Sequence, residues 1–242
     1  MNKDEIVADG KWVFDKNVTD CFDDMLARSI PDYNTMRDLT LRVAKPFITD
    51  NFNMLDLGCS NGINLELFIE RYGELGGSFN GLDKSVEMVN KAEERLAKYS
   101  DSNLINICVG DADITNFHFA PKIYNIVTSI LTVQFVPIEK RPQLLSGVYK
   151  SLKDNGVFIF VEKILQPNAQ FDRLYVDSYY DIKRDNGYTD EQIFAKKKSL
   201  EGVLVPNTHQ GNIELLESAG FKYVDTFWKS LNFEGYIAVK GE

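Results

Sequence analysis

The 242-residue chain has few of the residues from which disulfide frameworks and metal sites are built. Its three cysteines (Cys21, Cys59 and Cys108) and two histidines (His118 and His209) occur in no CxxC or HxxxH spacing. We therefore expect neither a disulfide scaffold nor a structural zinc site, and no metal at the functional site. Unpaired cysteines are typical of a protein of the reducing cytoplasm.

Long apolar runs and excess positive charge are also missing. No stretch approaches about 18 consecutive apolar residues, and the first ten residues lack an apolar signal core. We therefore expect no membrane span and a cytoplasmic location. The 27 basic and 36 acidic residues give a formal net charge of -9. Because an acidic surface repels phosphate groups, we expect no extended nucleic-acid surface.

Short apolar runs alternate with amphipathic stretches from residue 53 onward. Predicted strands cover residues 53–57, 79–83, 104–109, part of 123–133, 157–161, 221–227 and 233–239. A predicted helix over 138–152 is followed by Asn155-Gly156, which we interpret as its stop signal. Strands that alternate with helices in this way predict an α/β fold with a doubly wound, mostly parallel sheet.

Two segments depart from this alternation. Residues 1–48 predict a helical lead-in, with helices near 18–28 and 34–44. Residues 164–209 form an insertion with two predicted helices, the first carrying Phe171, Leu174, Tyr175 and Ile182 on one face. Insertions at the carboxyl edge of such a sheet usually cover a ligand. We therefore interpret residues 1–242 as a single domain in which residues 164–209 form a lid.

A glycine-containing turn follows the first predicted strand. Residues 56–62 (DLGCSNG) connect this strand to a helix, so small residues let the backbone approach a ligand at the helix N-terminus. Ser60 and Ile63 stand where a dinucleotide-binding turn requires glycine, which disfavours NAD and FAD. No GK[ST] motif is present, so a P-loop is excluded.

Two acids recur at matching places in the next units of the predicted sheet. Asp83 ends the second predicted strand, 27 residues after Asp56, and Asp111 follows the third, 28 residues later. An acid in the first position can accept hydrogen bonds from both ribose hydroxyls, and one in the second from the adenine amine. An adenosine without phosphates is therefore indicated, and S-adenosylmethionine (SAM) is the cofactor that fits this description.

Residues 56–62, 81–83 and 110–111 resemble the class I SAM-dependent methyltransferases. The chain further resembles the carboxy-S-adenosylmethionine (carboxy-SAM) synthase family, which serves wobble-uridine modification in tRNA. The matching blocks are 12–15, 28–33, 134–135, 162–163, 181–188, 197–199, 219–221 and 232–233.

This resemblance implies a seven-stranded Rossmann-like methyltransferase sheet and a homodimer. It also implies that one set of residues contacts bound SAM or carboxy-SAM. That set is Tyr33, Gly58, Cys59, Ser60, Asp83, Lys84, Asp111 and Ala112, with Ile130 near the ligand on the fourth strand.

Two positions differ from the family pattern. Lys198 stands where the family has an arginine that grips the extra carboxylate of carboxy-SAM, and Ile130 stands where an asparagine is expected. Lysine cannot form the bidentate contact of arginine, and isoleucine removes a polar contact near the ligand. Both changes therefore favour plain SAM. We therefore rank methyl transfer to a small molecule first, since this chemistry requires mainly a positioned nucleophile and no dedicated base.

Two other functions stay open. A carboxy-SAM synthase would trap carbon dioxide from prephenate on a sulfonium ylide of SAM, and it needs cations for two carboxylates. Lys198 and Arg184 are the candidate cations, and Tyr188 is a candidate pocket residue. The run Lys196-Lys197-Lys198 can also be a solvated helix face. The third possibility is a SAM-binding pseudoenzyme that acts as a regulatory subunit.

Overall fold

A central sheet with helices on both faces dominates the computed structural model, which describes residues 3–241. The strands are β1 (Phe52–Leu57), β2 (Gly77–Asp83), β3 (Ile105–Asp111), β4 (Tyr124–Ile130), β5 (Leu152–Leu165), β6 (Asn207–Thr208), β7 (Tyr223–Ser230) and β8 (Phe233–Val239). The α-helices are α1 (Lys16–Ser29), α2 (Tyr33–Ala44), α3 (Ile63–Tyr72), α4 (Val86–Leu96), α5 (Arg141–Ser151), α6 (Ala169–Asp185), α7 (Asp190–Leu200) and α8 (His209–Ala219). No helix within residues 3–241 is both long and apolar enough to cross a membrane.

The strand order is β3-β2-β1-β4-β5-β8-β7, and β8 runs antiparallel to both of its neighbours, β5 and β7. This confirms the predicted doubly wound, mostly parallel, seven-stranded sheet. The two-residue β6, which the sequence did not predict, pairs with β5 outside this order. After β1 the chain builds outward through β2 and β3 and then returns to place β4 on the other side of β1. A crevice therefore opens at the carboxyl ends of β1 and β4, where ligands bind in folds of this kind.

Both faces of the sheet are covered by apolar side chains. Along β5, Phe158 and Phe160 pack on the face that carries α5 and α8, whereas Val157 and Ile159 pack on the face that carries α3. Alternation along the strand thus buries every residue of the continuous apolar run 157–161.

The predicted stop signal at Asn155-Gly156 is wrong. Helix α5 ends at Ser151, and Leu152 already has extended backbone (φ -70°, ψ 140°). Asn155, with φ 59°, lies inside β5, opposite the point where the register with β4 shifts between Tyr124 and Ile126. The left-handed backbone at an Asn-Gly pair therefore accommodates an irregularity in the strand.

Residues 3–15, called the N-terminal arm below, precede α1 without a helix, although the sequence predicted a helical lead-in over 1–48. Residues 1 and 2 lie outside the described part. The predicted helices near 18–28 and 34–44 are confirmed as α1 and α2. The arm is held to the rest of the chain by its own polar groups. Asp4 accepts a hydrogen bond from the Tyr188 hydroxyl (2.5 Å), Trp12 N donates to Ser199 O (3.0 Å), and Ser85 Oγ donates to Phe14 O (2.8 Å).

The predicted insertion contains the two expected helices, α6 and α7. Tyr179 and Lys183 form the buried side of α6. Phe171 and Leu174, which were predicted to share a face, are 57% and 55% exposed. Half of the predicted apolar face therefore points outward, Tyr175 and Ile182 are only partly buried, and Tyr179 and Lys183 form the inner side instead.

Candidate functional site

The turn after β1 adopts backbone conformations that require its glycines. Gly58 has φ +68°, and a Cβ at this position would lie 2.2 Å from Thr132 Oγ1. Gly62 has φ +77°, and a Cβ there would lie 3.0 Å from the Cβ of Ala92 in α4. Only glycine therefore allows the turn to pass this close to the β4 end and to α4.

Asp83, at the end of β2, fixes the same turn through its carboxylate. Its two oxygens accept hydrogen bonds from Ser60 N and Ser85 N, each at 2.9 Å. Burial raises the pKa of Asp83. Because each carboxylate oxygen carries two lone pairs, the side chain retains acceptor capacity for a pair of ribose hydroxyls.

Asp56 joins β1 to β4 beneath the turn. Its side chain is buried and accepts a 2.6 Å hydrogen bond from Thr128 Oγ1, which in turn accepts one from Asn64 Nδ2 at 3.1 Å. Burial raises the pKa of Asp56 to about 7. This chain of polar groups fixes the crevice between the two strands.

A cavity of about 490 Å³ lies over these groups. Its size is within the range of small-molecule sites. Eight of the predicted ligand contacts line it: Tyr33, Gly58, Cys59, Ser60, Asp83, Lys84, Ala112 and Ile130. An acid with free acceptor capacity beside a close-approaching turn fits the adenosine part of SAM. We call this region, lined by residues 58–60, 83–84 and 112–115, the nucleoside half.

Asp111 is the predicted ligand contact that lies outside this lining. It pairs with Asp83 in the register of β2 and β3 but is exposed at the sheet end. Asp113, two residues later, lines the cavity, and its carboxylate lies 3.7 Å from Lys84 Nζ. The turn after β3 thus brings Asp113, and not Asp111, to the cavity. The spacing from Asp83 along the sequence does not distinguish between these two acids.

Two lysines also line the cavity, and we call the part of the lining that contains them the lysine half. Lys163 follows the central part of β5, with Nζ 4.9 Å and 5.9 Å from the ring centroids of Tyr179 and Phe233. Lys196, on α7, has Nζ 4.5 Å from the ring centroid of Trp12. Burial lowers the pKa of each lysine to about 8.

Neither ammonium group has a hydrogen-bonded acceptor or an ion-pair partner within residues 3–241, although both line the cavity. Aromatic faces stabilise the two cations only in part, since a ring quadrupole is weaker than a carboxylate. The lysine half is therefore arranged to receive negative charge from a ligand.

The sequence pointed to other residues for this role. Lys198 is exposed and does not line the cavity, because successive residues of α7 point about 100° apart and Lys196 takes the inward position. Arg184 is held at the surface by Asp181 and Asp190, each 2.7 Å away. Tyr188 is buried beside Asp4 and Ser29 but does not line the cavity either.

Two signals were available for the missed lysines. Lys163 belongs to a block that resembles the carboxy-SAM synthases, and Lys196 belongs to the run of three lysines. Neither signal tells which side chain faces inward, since that depends on how α6 and α7 pack over the sheet.

Comparison with known proteins places these features in context. A family profile described as a methyltransferase domain matches residues 54–156. The carboxy-S-adenosyl-L-methionine synthase of Methylococcus capsulatus is 35% identical over 99% of this chain and 100% of its own length. The protein of the same name from Nitratiruptor sp. is 32% identical over 99% of each chain.

Among solved structures, the fold is similar to that of Haemonchus contortus phospholethanolamine N-methyltransferase 2, determined with phosphomonomethylethanolamine and S-adenosylhomocysteine. The TM-score is 0.58 at 16% identity, with coverage of 85% of this chain and 53% of that one. At this identity the likeness shows the SAM methyltransferase fold alone.

Proposed function

This chain belongs to the carboxy-S-adenosyl-L-methionine synthase family, and from that premise we propose that it makes carboxy-SAM from SAM and prephenate. The proposal reverses the order given by the sequence, which ranked methyl transfer first because of Lys198 and Ile130. Lys198 is exposed and does not line the cavity of its own chain, so its replacement of arginine leaves the charge of that cavity unchanged. Ile130 does line the cavity, and it removes a polar contact without removing a cation.

One observation carries the proposal: the cavity joins an acid-lined nucleoside half to a lysine half with two unpaired ammonium groups. A neutral methyl acceptor would leave both cations partly desolvated and uncompensated, which is unfavourable. A dicarboxylate such as prephenate compensates both charges. The lysine half therefore supports a synthase better than it supports a methyltransferase for a neutral acceptor.

Residues of this chain have separable roles in the proposed reaction. Asp83 accepts the ribose hydroxyls, and the turn at 58–60 lies under the methionine part of SAM. The methyl carbon of bound SAM loses one proton and forms a bond to the carboxyl group that prephenate releases. Prephenate also loses its hydroxyl group, which leaves with that proton as water, so the products are carboxy-SAM, phenylpyruvate and water. Lys163 and Lys196 hold the two carboxylates of prephenate and orient it toward that carbon. The apolar rings of Trp12, Tyr179 and Phe233 exclude water from the lysine half.

The test is a product analysis. The purified protein is incubated with SAM and prephenate, and the nucleosides are separated and weighed by mass spectrometry. We expect a product heavier than SAM by one carbon dioxide, together with phenylpyruvate. Methylation of an acceptor without this product would return methyl transfer to first place, and SAM binding without any turnover would favour the pseudoenzyme.

Replacing Lys196 with methionine should raise the KM for prephenate at least tenfold and leave the KM for SAM near its native value. Methionine keeps most of the apolar stem against Trp12 but removes the charge, and a hydrogen bond to a charged group contributes about 1.5–3 kcal/mol. Steady-state kinetics with each substrate varied in turn measures the effect. Lys150→Met, at an exposed position of α5, is the matched control. An unchanged KM for prephenate would remove Lys196 from the site.

We also propose that the protein is a homodimer, as its family resemblance implies, and that the outer sides of α6 and α7 contribute to the interface. Phe171, Leu174 and Phe194 are each more than half exposed there. We expect a dimer by analytical ultracentrifugation. Phe171→Asp combined with Leu174→Asp should shift it toward monomer, whereas Leu104→Asp, at an exposed apolar site before β3, should not. A native monomer, or a dimer unaffected by the double substitution, would contradict this assignment.

A further inference from the structure

Lys183, on the inner side of α6, is a buried lysine without a partner. It is 4% exposed, and its Nζ has no hydrogen-bond acceptor or ion-pair partner in the part of the chain from 3 to 241. Its nearest stabilising groups are aromatic, with the ring centroids of Tyr188 and Tyr179 at 5.0 Å and 5.5 Å. Lys240 shows the contrast, because this buried lysine donates hydrogen bonds to two backbone carbonyls.

The charges around Lys183 come from four other elements and are mostly positive. Lys163 of β5 shares the Tyr179 ring with Lys183, with its Nζ 4.9 Å from the ring centroid, and Arg28 of α1 shares the Tyr188 ring, with its guanidinium carbon 4.0 Å from the centroid. Lys196 of α7 adds a further positive charge to the surroundings of Lys183, and Asp4 of the N-terminal arm adds a negative one. The Asp4 carboxylate already accepts the Tyr188 hydroxyl. Burial, and then the charges of Lys196 and Lys163, lower the pKa of Lys183 to about 7.

We propose that Lys183, which is only partly protonated in the free protein, becomes fully protonated when a dicarboxylate binds to Lys163 and Lys196, so that the site carries its full third positive charge only in the complex. This inference rests on the proposed function, which supplies the dicarboxylate. In the free protein the positive charges of Lys196 and Lys163, together with burial, disfavour the charged form of Lys183. Two bound carboxylates reverse the sign of the local potential and favour the charged form.

Lys183 does not line the cavity, so it acts through the electric field on the ligand and on its two neighbouring lysines. It is therefore a positioning residue. The expected sign follows from linkage: a group that binds a proton in the complex makes the ligand affinity fall as pH rises through the pKa of the free protein. Because burial also lowers the pKa of Lys163 and of Lys196, variants of Lys183 itself are needed to assign the proton uptake to it.

The experiment measures protons directly. Full-length protein saturated with S-adenosylhomocysteine, which has no methyl group to react, is titrated with prephenate at pH 7 by calorimetry in HEPES and in imidazole. The difference in heat between the two buffers gives the number of protons taken up. We expect net proton uptake in the native protein, below one proton per site, because the pKa of Lys183 in the free protein lies near this pH.

Two variants make the result specific. Lys183→Met should reduce the uptake to a small fraction and weaken prephenate binding most strongly below pH 7. Lys183→Arg, which keeps a permanent charge, should also remove most of the uptake, but it should preserve the affinity and make it nearly independent of pH around pH 7. Lys150→Met should take up as many protons as the native chain.

Native uptake near zero, or uptake that persists in both Lys183 variants, would overturn the inference. Carboxy-SAM formation is measured separately. If the protein makes this product but takes up no proton when prephenate binds, the inference is refuted and the proposed function still stands. If no product forms, the proposed function fails, and the same titration with malonate as a small dicarboxylate then decides the inference. With malonate, absent binding or absent uptake also counts against it.

Discussion

Asp83→Ala is expected to weaken SAM binding by about 3 kcal/mol, or roughly 150-fold. Asp83 is predicted to accept both ribose hydroxyls, and each such hydrogen bond involves a charged acceptor. The same carboxylate holds Ser60 N and Ser85 N at 2.9 Å, so its loss also releases the turn that approaches the ligand. Because the substitution removes the ribose acceptor and also releases the turn, we expect a loss of affinity at the upper end of what a charged hydrogen-bond acceptor contributes.

Isothermal titration calorimetry with SAM and with S-adenosylhomocysteine measures this effect. Asp83→Asn retains one carbonyl acceptor and should therefore fall between the native protein and Asp83→Ala. Asp101→Ala, in the exposed segment before β3, should bind both ligands like the native chain. If Asp83→Ala stays within threefold of native affinity, the ribose lies elsewhere and the nucleoside half is assigned incorrectly.

Glu162→Ala should lower the free energy of unfolding by about 4 kcal/mol, since it leaves several buried amides without an acceptor. Glu162 is buried in β5 and accepts hydrogen bonds from three successive backbone amides: Thr132 N at 3.1 Å, Val133 N at 2.9 Å and Gln134 N at 2.6 Å. These amides begin the segment after β4 that forms part of the cavity wall. One carboxylate thus fixes a loop that has no strand partner of its own.

Urea unfolding followed by circular dichroism provides the measurement. Glu162→Gln keeps one carbonyl oxygen but turns an N–H group toward an amide, so about half of the loss is expected. Glu139→Gln, exposed before α5, should have no measurable effect. A Glu162→Gln protein as stable as the native one would contradict the role assigned to the second carboxylate oxygen at these amides.

The sequence predicted most elements of the fold because their signals are local. The run 157–161 is apolar at every position, as a strand buried on both faces must be, and the turn at 58–62 needs glycine for reasons of backbone conformation. The helix end predicted at Asn155-Gly156 was wrong because the left-handed backbone of such a pair occurs at strand irregularities as readily as at helix ends.

The nucleoside half was also predictable, since its acids follow successive parallel strands. The lysine half was not. Which of Lys196, Lys197 and Lys198 faces inward depends on the rotation of α7 about its axis, and one position amounts to about 100°. Similarly, the choice between Asp111 and Asp113 depends on the path of a turn. The packing of distant segments determines which lysine and which aspartate reach the cavity, and no local sequence pattern encodes this packing.

The N-terminal arm has a consequence for the order in which the molecule can be assembled. Trp12, a wall of the lysine half, is held by Ser199, and Asp4 is held by Tyr188, so contacts that span about three quarters of the chain complete the cavity. Closing so long a loop costs entropy that only the finished contacts offset. During synthesis on the ribosome, residues 3–15 emerge long before α7 and must wait for it, so the site closes among the last events of folding.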